Sequence, residues 1–187
     1  MKIITISGLD GSGKSTQIEM LKYYLESQGK KVFYFHAVRF SIGRLGKGTV
    51  STAGNKSIEK ANWFQIQLRK LALGIDLCRF SKLVKKLEKE GYDYLVSDRY
   101  FYDSVINIEY LGNGGEQKFL FAMPDVAIYL QTSPETIMQR DRIPDQGIEY
   151  LKKKKELYDA KTNIWNWKII DGNRDKNVIF EEIKNLI

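Results

Sequence analysis

The chain has a single cysteine, Cys78, a single histidine, His36, and only three prolines in 187 residues. One thiol excludes an internal disulfide, and one thiol with one imidazole cannot fill a zinc site of the usual ligand count, so redox and structural-metal chemistry are not expected. No stretch approaches the roughly 18 apolar residues that a membrane span requires. Lys2 leads into a short apolar run and then glycines, without a long h-region or a small-residue cleavage site. The expectation is a soluble cytoplasmic protein with no membrane partner. Spaced Cys/His pairs and RNP-type aromatic motifs are also missing, so no nucleic acid is expected as a partner. The net charge of +7 is compatible with nucleic acid, an anionic membrane or a polyanionic substrate, and charge alone does not choose among them.

Short apolar runs alternate with longer amphipathic segments from end to end, the pattern of a parallel sheet covered by helices, so the fold class is α/β. With no internal repeat or linker, residues 1–187 read as one domain. Strands are predicted at Ile3–Ser7, Val32–Phe35, Tyr94–Ser97, Val126–Gln131 and Lys168–Ile170. Helices are predicted at Ser15–Ser27, around Asp103–Leu111, from Pro134, over Ile148–Lys161 and over Asp175–Ile187. Ser57–Glu90 reads as two helices broken near Gly74, and Ala37–Asn55 as a long functional loop. The run Lys152–Lys155 reads as a solvated helix face.

The strongest signal is Gly8-Leu9-Asp10-Gly11-Ser12-Gly13-Lys14-Ser15-Thr16, a full GxxxxGK[ST] match between a buried strand and a helix. Glycines let backbone N–H groups converge on phosphate oxygens, and the helix N-terminus adds partial positive charge there. Lys14 is placed to reach β and γ phosphates, Ser15 to coordinate Mg²⁺, and Thr16 to bond a phosphate nearer the nucleoside. Asn55-Lys56-Ser57-Ile58 lacks the aspartate that reads guanine, and the third strand ends in Asp98-Arg99. An arginine beside a Mg²⁺ ligand supplies charge on the far side of a moving phosphoryl group, which favours a kinase using ATP and Mg²⁺.

The phosphate loop with Asp10 in it, then Asp98-Arg99-Tyr100, then an arginine-bearing segment after the fourth strand, together resemble the thymidylate kinase family. The likeness covers nearly the whole chain. It implies a P-loop fold with a five-stranded parallel sheet in order 2-3-1-4-5, a short lid at about 140–147, a homodimer, and transfer from ATP to dTMP or a related nucleotide. Carried over, Gly8, Gly11, Ser12, Gly13 and Lys14 cradle the donor, Asp171 flanks its adenine, and Ser15 and Asp98 serve the metal. Asp10 would contact the acceptor sugar, Arg99 the acceptor phosphate, Arg79 the base, and Arg140 and Arg142 would belong to the lid.

The chain departs from the family after the second strand. There His36-Ala37-Val38-Arg39-Phe40 stands where an Arg-Glu-Pro-Gly-Gly-Thr stretch is usual, and Ile75 stands where a stacking phenylalanine is usual. His36 and Arg39 are therefore candidates for the acceptor pocket, as are the aromatics Phe64, Phe101 and Tyr102 for stacking. Two other functions remain open. A deoxynucleoside kinase would need a carboxylate after the second strand, where two arginines and a lysine stand instead. A non-catalytic ATP-binding module would not need Arg99, Arg140 and Arg142.

Overall fold

Parallel strands need crossovers of about a dozen or more residues, and this chain, whose strands are separated by helical segments, forms an all-parallel sheet. A computed structural model describes residues 1–40, 63–112, 123–140 and 143–187. The elements run β1 (Lys2–Ser7), α1 (Lys14–Ser27), β2 (Val32–His36), α2 (Ala37–Phe40), α3 (Trp63–Lys89), β3 (Tyr94–Asp98) and α4 (Phe101–Leu111). They continue with β4 (Val126–Gln131), α5 (Pro134–Met138), α6 (Gly147–Lys161), β5 (Lys168–Asp171) and α7 (Lys176–Lys184). The strand order is β2-β3-β1-β4-β5, as the resemblance implies.

Alternation along β1 decides how the sheet is covered. Ile4 and Ile6 pack with Ile18, Leu21 and Leu25 of α1 and Ile179 and Ile183 of α7. The opposite face carries a second, more aromatic core that includes Phe80 of α3, Tyr100 and Tyr102, Tyr129 of β4, Tyr158 of α6 and Trp167. Both sides of the sheet thus carry a buried core, and the carboxyl end of the strands is the edge where open α/β sheets offer polar chemistry. Register sets what meets there: Ile6 of β1 is level with Asp98 of β3, His36 of β2 is level with Asp98 on its other side, and Gln131 of β4 is level with Asp171 of β5.

Three expectations change. Gly74 does not break α3, which is continuous from Trp63 to Lys89. A helical glycine costs only about 1 kcal/mol relative to alanine, and Leu73, Phe80 and Leu87 anchor the helix on both sides of it. The segment after β2 begins as the short helix α2; the rest of the expected loop, to Asn55, lies outside the described residues. The Lys152–Lys155 run is not a uniformly solvated face, since Lys154 is buried. A helix turns 100° per residue, so a run of four spans more than one face. No described helix is long and apolar enough to cross a membrane.

Candidate active site

Gly8 leaves β1 with φ 150°, and a Cβ there would come within 2.7 Å of the Leu130 carbonyl oxygen of β4. Only glycine lets the loop pass this close to the neighbouring strand. Gly13 then enters α1 with φ 97° and lies at its N-cap, so the first helical N–H groups face the loop. Ser12 is buried, and its carbonyl accepts a bond from Thr132 Oγ1 at 3.4 Å. Lys14 folds back over the loop and donates to the Leu9 carbonyl and to Ser12 Oγ. Burial, helped by the nearby Arg99 charge, lowers the Lys14 ammonium to about 8. The loop therefore holds a desolvated cation aimed along its own backbone, ready for an anionic partner.

Asp98 ends β3 beside the loop, with Oδ2 3.4 Å from Ser15 Oγ, 3.4 Å from the Tyr34 hydroxyl and 4.0 Å from His36 Nε2. One hydroxyl and one carboxylate at the mouth of a phosphate cradle match the donor set of Mg²⁺, which takes one or two carboxylates and completes its shell with water and phosphate oxygens. Among the described residues no cluster of three or more His, Cys, Asp or Glu side chains forms an all-protein metal site, and this chemistry does not call for one. His36 thus stands at the strand end where it was expected, next to Asp98.

Arg99 follows with φ 65°, a left-handed conformation that costs a non-glycine residue of order 1 kcal/mol. The turn is held by Arg99 N–H donating to Ile6 O at 3.0 Å and by Ser97 Oγ donating to the Arg99 carbonyl. It swings the guanidinium under the phosphate loop, where it binds Asp10 and, at 3.1 Å, Asp103 of α4. Asp103 is itself buried and also accepts from Ser7 Oγ at 2.7 Å, Tyr100 N–H at 2.9 Å and the Tyr158 hydroxyl. Burial works against the Arg99 charge, but Tyr158, Asp103 and Asp10 more than offset it, so its proton is held more tightly than usual. Asp103 and Tyr158 were not singled out from sequence; the signal was there for Asp103, which stands one helical turn from Arg99.

Arg140 follows α5 and donates to the Gly11 carbonyl at 2.6 Å and the Gly172 carbonyl at 2.8 Å. It ties the phosphate loop to the turn after β5. Asp171 closes that strand, and its carboxyl is lowered by Asn173, whose N–H and side-chain amide both donate to it. Arg142 lies outside the described residues, as do the side chains of Val38 and Arg39. Arg79 of α3 is not at the loop: it donates to Asp76 Oδ1 and the Phe40 carbonyl, both at 2.9 Å, and stacks over the Phe40 ring at 4.3 Å. It joins α3 to α2, on the β2 side of the cleft.

Tyr102 corrects an expectation. It is fully buried, its ring lies 4.7 Å from that of Trp165 and 5.4 Å from that of Trp167, and its hydroxyl reaches Met123 Sδ. Phe101 is also buried, against Phe80 and Tyr100. Both rings belong to the core because the apolar face of α4 turns onto the sheet. Of the three stacking candidates, Phe64 alone is exposed.

A strand, phosphate loop and helix, with an aspartate at the end of the adjacent strand and an arginine after it bonded to the loop, define a P-loop phosphotransferase. The sequence model described as thymidylate kinase matches residues 6–183, and the chain belongs to the thymidylate kinase family. Thymidylate kinase of Thermosipho melanesiensis is 29% identical over 203 residues, covering 98% of this chain and 96% of its own. That of Prochlorococcus marinus is 27% identical over 206 residues, covering 100% and 95%. The solved thymidylate kinase from Candida albicans shares the fold with a TM-score of 0.66 at 18% identity, over 100% of this chain and 90% of that one.

Proposed function

We propose that this protein transfers the γ-phosphoryl group of ATP to a nucleoside monophosphate, dTMP before others, giving ADP and dTDP. The reading is carried by one juxtaposition: Lys14, at the start of α1 beyond β1, and Arg99, just after the end of the adjacent strand β3, meet at the phosphate loop, whose Asp10 is bonded to Arg99. Phosphoryl transfer needs little covalent help from the protein, and cations on both sides of the moving group are what the reaction demands. Lys14 and the loop N–H groups hold the donor phosphates, and Asp171 and Gly172 flank the donor base. Ser15 and Asp98 would hold Mg²⁺, which when bound neutralises charge on the donor's β and γ oxygens. Arg99 grips the acceptor phosphate, exchanging part of its bond to Asp10, whose carboxylate is then available to a sugar hydroxyl. Arg140 and Arg142 bring charge over the donor and exclude water. His36, Arg39 and Arg79 bound the acceptor on the β2 side.

A dimer is supported by α3, where Phe64, Leu68 and Leu71 recur at helical spacing and are each more than two-fifths exposed. The occupant we assign to that stripe is a second copy of this chain. The activity is tested by coupled ADP release over a panel of nucleosides and monophosphates with Mg²⁺. Turnover with dTMP is the expected result, at an efficiency below that usual for the family because Ile75 and the segment after His36 differ. ATP binding with no acceptor raising ADP release above the water background would overturn the reading in favour of a binding module.

A further inference from the structure

Two lysines of α6 are buried against α4, and they are treated differently. Lys161 has a carboxylate partner, Glu109, at 3.0 Å, with both side chains nearly closed to solvent. Such pairing is the ordinary condition for keeping a charge inside a protein. Lys154, two turns earlier on the same helix, is 5% exposed, yet the acceptor it is given is the neutral amide oxygen of Asn107. Its ammonium also lies 5.6 Å from the ring centres of Tyr110 and Tyr150, which attract a cation without neutralising it. It is not a remote core lysine, for it lines the same small cleft as Gly8, Leu9, Asp10, Arg99, Tyr150 and Tyr158. The two carboxylates nearest that cleft, Asp10 and Asp103, are already bonded to Arg99. A buried cation has thus been placed beside Arg99 and Asp10 with no carboxylate of its own among the described residues.

We infer that Lys154 is a second cationic contact for the phosphate of the acceptor nucleotide, working beside Arg99 from the opposite wall of the cleft. The inference rests on the acceptor being a monophosphate, as proposed above. An incoming dianion would complete the charge balance that the protein leaves open, and the Asn107 amide would keep the ammonium oriented until then. Lys154 would in this way favour monophosphates over nucleosides, since an unphosphorylated ligand leaves the buried charge uncompensated.

A pH dependence follows. Burial first, then the Arg99 charge, lower Lys154 to about 8, with Asp103 and Asp10 pulling the other way. The remaining titratable groups around it are Tyr110, Tyr150 and Tyr158, and burial raises Tyr150 to about 12 and Tyr158 further, so both stay neutral in this range. Lys14 also titrates near 8 and is coupled to Arg99 and Asp10, so the pH dependence is assigned to Lys154 by comparison with a Lys154 variant that keeps Lys14. Phosphate monoesters are dianions above about pH 7. Acceptor affinity should therefore fall as pH rises through about 8, where Lys154 loses its proton.

The test is calorimetric titration of dTMP and of thymidine, without ATP, into the wild type and Lys154→Met between pH 7 and 9.5, with circular dichroism and Tm as controls. Expected is a roughly tenfold loss of wild-type dTMP affinity across that range, with thymidine affinity nearly flat. Lys154→Met should bind dTMP about tenfold more weakly at pH 7 and show no further fall, while Lys154→Arg should recover most of the loss at pH 7 and stay insensitive to pH. Wild-type dTMP affinity independent of pH, or equal losses for dTMP and thymidine, would overturn the inference even if the methionine variant failed to fold. Turnover of dTMP with Lys154 irrelevant to its binding sinks this inference alone; no dTMP binding by the wild type sinks the function above as well.

Discussion

Lys14 and Arg99 are cations in the same few ångströms of protein, and burial acts on both, yet they end with opposite proton affinities. Lys14 bonds to a carbonyl and a hydroxyl, and its desolvation and the Arg99 charge outweigh the pull of the nearby Asp10, Asp103 and Asp98, so it falls to about 8. Arg99 bonds to two carboxylates and rises. At pH 8 a good part of Lys14 is therefore neutral, and a bound triphosphate must restore its charge. ATP binding at that pH should take up a fraction of a proton, measured as a dependence of binding enthalpy on the ionisation enthalpy of the buffer; Lys14→Ala should abolish the uptake. The same substitution should lower kcat by of order 10²-fold or more without unfolding the protein, because it removes charge where negative charge shifts in the transition state. Arg99→Lys should reduce kcat/KM for the acceptor while ATP affinity changes little, since an ammonium cannot span Asp10 and Asp103 as a guanidinium does, nor grip a phosphate through two parallel bonds. Equal acceptor affinity in the wild type and the lysine variant would point to an unphosphorylated acceptor instead.

At the scale of the element, α3 and the link made by Arg140 are the informative cases. Gly74 sits inside a long helix with open space where a Cβ would go, so Gly74→Ala should stabilise the fold by about 0.5–1 kcal/mol, visible as a Tm higher by a few degrees. A lower Tm would mean that α3 is bent or interrupted there, as the sequence reading had it. Arg140→Met removes the bonds to the Gly11 and Gly172 carbonyls, which join the phosphate loop to the turn after β5. ATP affinity should fall several-fold, with dTMP affinity unchanged, because only the donor half of the cleft loses a brace.

For the whole molecule the buried lysines set a pH dependence of stability. The unfolded chain keeps Lys14 and Lys154 protonated up to about 10.5, whereas the folded chain releases both protons near 8. Between those values the unfolded state binds more protons, so stability without ligand should rise with pH across that window. Above about 10 the sign reverses, because burial holds Tyr100, Tyr129 and Tyr158 protonated in the fold while the unfolded chain ionises its tyrosines. Thermal melts from pH 7 to 11 should show Tm rising and then falling. Lys154→Met should flatten the rise; a steady decline from pH 7 would show that neither lysine is desolvated. On the outside, Leu71→Glu in the α3 stripe should convert a dimer to a monomer by light scattering with little change in the far-ultraviolet spectrum.

What the sequence determined by itself is whatever its local order encodes. The phosphate loop is nine contiguous residues, each strand is a short apolar run, and Asp98-Arg99 stands at the end of one of them, so cradle, strand positions and kinase chemistry could be read without coordinates. The strand order came from the family resemblance, since local pattern does not carry it. The tertiary structure alone decided which side chains share the site. Asp10 is 89 residues from Arg99, Asp103 is 55 from Tyr158 and Asn107 is 47 from Lys154 in sequence. A basic run or an aromatic after a strand end looks the same on a wet face as on a dry one. Lys154 went inside and Tyr102 left the pocket for the core because α4 and α6 pack against each other over one face of the sheet, and burial of that shared apolar surface outweighs what any single polar side chain would prefer.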